Sequence, residues 1–182
     1  QKPNVIKYLD NTHIINVDYE NFNVKYFSPF SSNEKILYAV LTGNEADINK
    51  YFFTYRTVSA QVLVDSLTIK KDNSRIEKYF LFSFNDSLHN NTEVINEAIE
   101  RIKNSKSTIV EDELKFMKDV FARVKYPTGL SADEKNLYEQ SITVLKMAQV
   151  TENEIFPKAN GQVLASLPPG VWSITWLRDG MY

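Results

Sequence analysis

The chain has 182 residues, of which 43% are hydrophobic, and its 21 Lys and Arg against 23 Asp and Glu give a formal net charge of −2. This length and composition indicate a soluble globular protein with one good core or two small ones, because domains usually contain about 100 to 150 residues. The nearly balanced charge argues against a surface for polyanions, so we expect neither nucleic acid nor an anionic membrane as a partner.

The residue inventory also limits the chemistry. The chain contains no cysteine, which excludes disulfides, thiolate nucleophiles and thiolate metal sites. Its only histidines are His13 and His89, so we expect no histidine-rich metal site and no cofactor. The longest apolar runs are far shorter than the ~20 residues that a membrane helix needs. The sequence begins with Gln1 and not with Met, and it shows no signal-peptide pattern there. The localisation, cytoplasmic or exported, is therefore left open.

Residues 5–84 have the pattern of β-strands, since β-branched and aromatic residues alternate with polar ones between turn clusters at 28–33 and 42–47. Short, regularly spaced strands predict an antiparallel β-sandwich. The many aromatic residues are expected to lie in its core. The alternative is that they stack on sugars at a face of the sheet. Six strands would leave this sandwich incomplete, with exposed edges that further strands or a partner domain must cover. The predicted strands are His13–Tyr19, Phe22–Phe27, Lys35–Leu41, Phe52–Val58, Gln61–Ile69 and Lys78–Phe84.

Three helices are predicted after Asp86. The first is capped by Asn91 or Thr92, the second has the capping-box pair Thr108 and Glu111 and ends before Pro127, and the third has the pair Ser131 and Glu134. The third helix is expected to run to about residue 150. Apolar residues at helical spacing are expected to face a core. They are Val94, Ile95, Ala98, Ile99 and Ile102 in the first helix, Val110, Leu114, Met117, Phe121 and Val124 in the second, and Leu137, Val144, Leu145 and Ala148 in the third.

Both tryptophans fall in the last stretch, where Trp172 and Trp176 precede the pair Arg178 and Asp179. A separation of four residues places the two rings on one side of either a helix or a strand. Indole rings pack on the C–H faces of a pyranose, while an arginine fork and a carboxylate bind adjacent hydroxyls. The segment therefore has the residue types of a sugar site. The alternative is structural, with core aromatics, a capping aspartate and an ion pair.

Two segments of the sequence resemble a known protein family. They are residues 141–150 and Gly161-Gln-Val-Leu-Ala-Ser-Leu-Pro-Pro-Gly-Val-Trp-Ser-Ile-Thr-Trp-Leu-Arg-Asp-Gly-Met-Tyr182. Together they resemble the opening of the catalytic domain of glycoside hydrolase family 15. This is the glucoamylase and glucodextranase family. The resemblance implies an α+β fold, with an incomplete antiparallel, supersandwich-like β-sandwich, linker helices and the first helix of an (α/α)6 barrel. The implied domains are residues 1–90 for the sandwich, 91–130 for the linker and 131–182 for the start of the barrel.

The same resemblance implies an exo-acting, inverting hydrolase that releases glucose from the non-reducing ends of an α-glucan or oligosaccharide. Trp176, Arg178 and Asp179 would hold the terminal glucose, and Trp172 stands where fungal members carry a tyrosine. No glutamate here, Glu152 and Glu154 included, matches the family's general acid or base, so no catalytic residue is assigned. We expect a truncated, inactive piece that needs the remainder of its catalytic domain. The alternatives are a non-catalytic carbohydrate-binding or structural module and a trehalase of the same family.

Overall fold

The structure is a computed structural model that describes residues 2–32, 34–51, 62–72, 74–84, 90–149 and 161–163. The chain divides into two compact units. Unit 1 comprises residues 1–10 and 14–122, and unit 2 comprises residues 11–13 and 123–182.

Unit 1 contains a six-stranded sheet in which every neighbouring pair of strands is antiparallel. The strand order is β1-β2-β3-β4-β6-β5, so β4 and β6 lie in the interior and β1 and β5 at the edges. The strands are β1 (Val5–Tyr8), β2 (Ile15–Asp18), β3 (Phe22–Phe27), β4 (Ile36–Asn44), β5 (Val62–Lys70) and β6 (Arg75–Phe84).

Four helices accompany the sheet: α1 (Glu45–Ile48), α2 (Asn91–Asn104), α3 (Ile109–Ala122) and α4 (Ala132–Met147). The first three belong to unit 1 and α4 belongs to unit 2. The described residues thus form an α+β protein, with all strands before residue 85 and three of the four helices after residue 90.

Alternation along the strands gives the sheet two different faces. One face, here called the helix face, packs against α2 and α3 in a core that includes Tyr38, Val40 and Leu81 of the sheet with Ile95 and Ile102 of α2. The opposite face carries a second apolar cluster. Its buried members are Phe22, Val24, Ala39, Leu41, Ile48, Ile76 and Phe82.

On the opposite face, the backbones of β3 and β4 come so close together that one position of β4 must be glycine. Gly43 of β4 lies directly across from Phe22 of β3. A Cβ added at Gly43 would come within 2.6 Å of the Phe22 Cβ and 2.8 Å of the Asn21 carbonyl oxygen. Any larger residue would force the two strands apart, so this position requires glycine.

Carboxylates of unit 1 link the segment before β4 to helices α2 and α3. Glu113 of α3 is fully buried and accepts hydrogen bonds from the backbone N–H groups of Phe30 at 3.1 Å and Ser31 at 3.0 Å. Glu34 receives both a 2.7 Å bond from Arg101 Nε and a 2.7 Å bond from Arg101 Nη2, and the Tyr38 hydroxyl also donates to it. Burial, followed by the charge of Glu34, raises the pKa of Tyr38.

The antiparallel sheet confirms the strand-type pattern of the sequence, with two differences. Val5–Tyr8 forms an additional strand whose four residues all pair with β2. It contains too few residues to stand out in the sequence. Residues 42–47 are predicted to form a turn, but 42–44 complete β4 and 45–47 begin the short helix α1. Asn44 caps this helix by accepting from the Ala46 N–H at 2.9 Å. The predicted strand Phe52–Val58 lies outside the described residues.

The three predicted helices are confirmed as helices, with the first cap displaced by one residue to Asn90. Both capping boxes form, at Thr108 with Glu111 and at Ser131 with Glu134. Helix α3 ends at Ala122, before Val124, because the chain leaves the helical conformation ahead of Pro127.

The expected burial of the third helix is wrong for three of its four apolar residues. Leu137 is 66% exposed, Val144 57% and Leu145 56%, and only Ala148 is buried. The apolar stripe has the predicted helical spacing, but the described part of the chain packs no core against it. Thr143, on another side of α4, is buried instead.

Candidate functional site

The residues predicted to bind sugar all lie outside the described part of the chain. They are Trp172, Trp176, Arg178 and Asp179, and Glu152 and Glu154 lie outside it as well. The sugar site therefore stays a prediction. What the structure does describe is the segment of unit 2 that leads to these residues, namely α4, its supports and residues 161–163.

Helix α4 begins with a reciprocal cap. The Ser131 hydroxyl accepts from the Glu134 backbone N–H at 3.3 Å, and the Glu134 carboxylate accepts from the Ser131 backbone N–H at 2.8 Å. These bonds satisfy two N–H groups that the first turn of a helix leaves without an internal partner. Hydrogen bonds to the carboxylate, first from the Ser131 backbone and then from its hydroxyl, lower the pKa of Glu134.

Glu139 connects α4 to polar residues elsewhere in the described part of unit 2. One carboxylate oxygen accepts from the Asn11 side-chain amide at 2.9 Å, and the other accepts from the Tyr126 hydroxyl at 3.0 Å. Lys135 lies 3.8 Å from Glu139, one helical turn away, and its ammonium also lies 5.3 Å from the centre of the Tyr126 ring. Burial, and after it the bond to Glu139, raises the pKa of Tyr126.

The segment around Asn11 is held to α4 by its backbone too. The Thr143 hydroxyl donates to the Asn11 carbonyl oxygen at 2.8 Å, and the Asn11 amide donates to Asn136 at 3.1 Å. Asn11 has φ of 58°, a left-handed conformation that asparagine tolerates better than most residues. The polar side of α4 is therefore fixed by hydrogen bonds to one short segment.

The C-terminal end of α4 contacts residues 161–163, where the second segment that resembles glycoside hydrolase family 15 begins. The Gln149 amide donates to the Gly161 carbonyl oxygen at 3.0 Å, and Gln149 also forms an antiparallel bridge with Val163. Gly161 has φ of 87°, which glycine adopts without steric cost. These contacts place residues 161–163 beside the end of α4.

Sequence reasoning missed Asn11 and Glu139 as members of one cluster. The Asp10-Asn11 pair is a recognisable candidate for left-handed backbone, and both residues do have positive φ. However, Asn11 and Glu139 are 128 positions apart in the sequence, and a local sequence pattern does not predict a contact between residues so far apart.

The described residues offer no other obvious site of the kinds considered above. In this part of the chain, no group of three or more His, Cys, Asp or Glu side chains is arranged to hold a metal ion. None of the helices described is both long and apolar enough to cross a membrane.

Comparisons of the chain with models of protein families, with curated proteins and with solved structures find no match. The likeness to glycoside hydrolase family 15 thus rests on the residues quoted above.

Proposed function

We propose that this chain is part of an exo-acting, inverting α-glucoside hydrolase of the glucoamylase type. The observation that carries the proposal is the motif Trp176-Leu177-Arg178-Asp179, preceded by Pro168-Pro169-Gly170 and by Ala165-Ser166. These residue types in this order provide an aromatic wall, a planar donor fork and an acceptor pair within a few residues. In this proposal they form part of the subsite for the terminal glucose.

The finer architecture belongs to the same proposal. The six-stranded sheet would be part of a β-sandwich, α2 and α3 would be linker helices, and α4 would be the first helix of an (α/α)6 barrel. The exposed stripe of Leu137, Val144 and Leu145 supports this role for α4, because a contiguous apolar surface marks a place where another element packs. Other helices of the barrel would cover it.

The proposal gives this chain a binding role and no catalytic one. Inverting hydrolysis requires a general acid and a general base roughly 6.5 to 9.5 Å apart, with a water between them. No glutamate in the 182 residues matches either motif of the family. The two carboxylates are therefore assigned to residues outside this sequence, and Trp172, Trp176, Arg178 and Asp179 to orientation of the sugar.

The test is the substitution Arg178→Ala in the full-length protein. Loss of a charged hydrogen bond to a sugar hydroxyl is expected to lower kcat/KM for maltooligosaccharides by about 10- to 100-fold. Arg75→Ala is the matched control, because Arg75 is exposed at the start of β6, and it should leave kcat/KM unchanged.

The substrate panel includes isomaltooligosaccharides and trehalose. An unchanged kcat/KM in Arg178→Ala removes Arg178 from the subsite. Turnover of trehalose alone favours the trehalase alternative, and a wild-type protein that binds glucans but cleaves none of these substrates favours the binding module.

A further inference from the structure

A row of polar side chains crosses the helix face of the sheet at one end. Asp18 of β2 lies opposite Asn23 of β3, Asn23 lies opposite Thr42 of β4, and Thr42 lies opposite Glu77 of β6. Residues directly opposite in antiparallel strands project from the same face. Lys25, two residues beyond Asn23, projects from that face as well. These five residues are called the polar row.

The polar row is unusual for its position on a packed sheet face. Glu77 is only 8% exposed, and the other four side chains are partly buried. In the next rows the same face becomes the apolar core, with Val40 opposite Lys25 and Tyr79 opposite Val40. Polar groups that are partly removed from water lose some of their hydration, which hydrogen-bond partners offset.

Some of these groups have partners. Lys25 Nζ donates to Asn23 Oδ1 at 2.7 Å, and Asp18 Oδ1 accepts from the Asn16 amide at 2.8 Å. Glu77 Oε2 accepts from the Tyr79 hydroxyl at 2.6 Å and lies 2.9 Å from Lys71 Nζ. One oxygen of each carboxylate and one donor of the ammonium are accounted for in this way.

Other groups have no partner among the described residues. The Thr42 hydroxyl, the Asn23 amide N–H₂ and the two remaining donors of Lys25 make no hydrogen bond there. The charges of Glu77 and Asp18 act on Lys25, and they oppose the larger effect of burial, which lowers the pKa of its ammonium. Neither carboxylate forms an ion pair with Lys25 in the described part of the chain. The row therefore presents separated donors and acceptors.

We propose that the polar row binds the hydroxyl groups of a neutral carbohydrate chain. A hydroxyl both donates and accepts, so it can accept from Lys25 or Asn23 and donate to Asp18 or Glu77 at once. The row crosses four strands, which at ~4.8 Å between neighbours is a length of about 14 Å and suits an extended chain better than a single sugar. The two carboxylates disfavour an anionic ligand, and the ammonium between them disfavours a metal cation.

This site is independent of Trp172, Trp176, Arg178 and Asp179, and it would hold a carbohydrate chain without cleaving it. The first measurement is calorimetric titration of the 182-residue chain with maltoheptaose and, separately, with an isomaltooligosaccharide. Polyethylene glycol of similar mass is the control ligand, because it lacks vicinal hydroxyls. Saturable heat with at least one oligosaccharide and none with the glycol is the expected result.

Matched substitutions locate the binding. Lys25→Met should weaken oligosaccharide binding about tenfold or more, since it removes a charged donor, and Thr42→Val should weaken it about two- to tenfold. Lys70→Met and Thr68→Val make the same changes at exposed positions on the other face of the sheet and should leave the affinity unchanged. Thermal melting shows whether Lys25→Met keeps its fold, because the substitution removes the donor to Asn23 and a positive charge that acts on Asp18 and Glu77.

The inference is overturned if the wild-type chain shows no saturable binding, or if both Lys25→Met and Thr42→Val bind as the wild type does. If Lys25→Met does not fold, Thr42→Val decides alone. Binding that is lost in Arg178→Ala but kept in Thr42→Val would assign the ligand to the proposed glucose subsite, and would thus overturn this inference while leaving the proposed function intact.

Discussion

Helices α2 and α4 carry similar apolar stripes but bury them to very different extents. In α2, Ile95 is 2% exposed and Ile102 is 5% exposed, because both pack on the helix face of the sheet. In α4, Leu137 is 66% exposed and Val144 is 57% exposed. The periodicity of a sequence thus identifies a helix and its apolar side, whereas burial depends on a second surface that the periodicity does not specify.

Polar contacts hold α4 where apolar contacts hold α2. Glu139, Asn136 and Thr143 of α4 all bond to Asn11. Each neutral or partly exposed hydrogen bond contributes only about 1 kcal/mol net, whereas a buried aliphatic side chain contributes ~1.5 to 3 kcal/mol. We therefore expect substitutions in α2 and α3 to have larger effects on stability than equivalent ones in α4.

The first prediction compares Ile95→Ala with Leu137→Ala. Truncation of the buried Ile95 removes apolar contacts and leaves a cavity, so the free energy of unfolding should fall by about 3 to 4 kcal/mol. Leu137→Ala removes a largely exposed side chain and should change it by less than about 0.5 kcal/mol. Urea unfolding followed by circular dichroism measures both.

A large loss of stability in Leu137→Ala would break the comparison, because it would mean that α4 is covered on its apolar side in solution. Equal small effects at both positions would contradict the packing of α2 on the sheet.

The second prediction compares two glutamates that accept hydrogen bonds at different depths. Glu113→Ala should lower the free energy of unfolding by about 2 to 3 kcal/mol, because the N–H groups of Phe30 and Ser31 lose their buried acceptor. Glu139→Ala should cost about 1 kcal/mol, since its side chain is 14% exposed and water can replace it. The same urea titration measures both.

Glu97→Ala is the control for this pair, because Glu97 is exposed on α2, and it should unfold like the wild type. A Glu113→Ala protein as stable as the Glu97→Ala protein would show that the loop at Phe30 and Ser31 does not depend on the carboxylate. A Glu139→Ala protein less stable than Glu113→Ala would reverse the order of the two regions.

The local parts of the fold could be predicted because their signals lie within a few residues. Thr108 with Glu111 and Ser131 with Glu134 are three residues apart, and both pairs form the expected reciprocal caps. Strand alternation likewise identified most of the sheet. The strand Val5–Tyr8 was missed because it contains four residues, all exposed, with no buried face to give a pattern.

The parts that depend on pairing could not be predicted. The polar row exists only because the register puts Asp18, Asn23, Thr42 and Glu77 opposite one another, and a shift of one residue would move any of them to the other face. The order in which β6 lies between β4 and β5 is equally absent from local sequence. The sugar motif at Trp176 to Asp179 came from resemblance to a family, and it stays a prediction.

The smallest expected effect concerns the cap of α4. Hydrogen bonding lowers the folded-state pKa of Glu134 below its usual value of 4.5. The carboxylate therefore stabilises α4 fully when the pH is above the unfolded-state pKa. This contribution is lost as the pH falls through the folded-state pKa. Glu134→Gln should therefore weaken the acid-induced loss of helical circular dichroism below about pH 4.5. Asp133→Asn, in the same first turn, is the control. If Asp133→Asn flattens the pH profile as much as Glu134→Gln does, the pH dependence comes from the helix dipole acting on both carboxylates, and the capping box is not its cause.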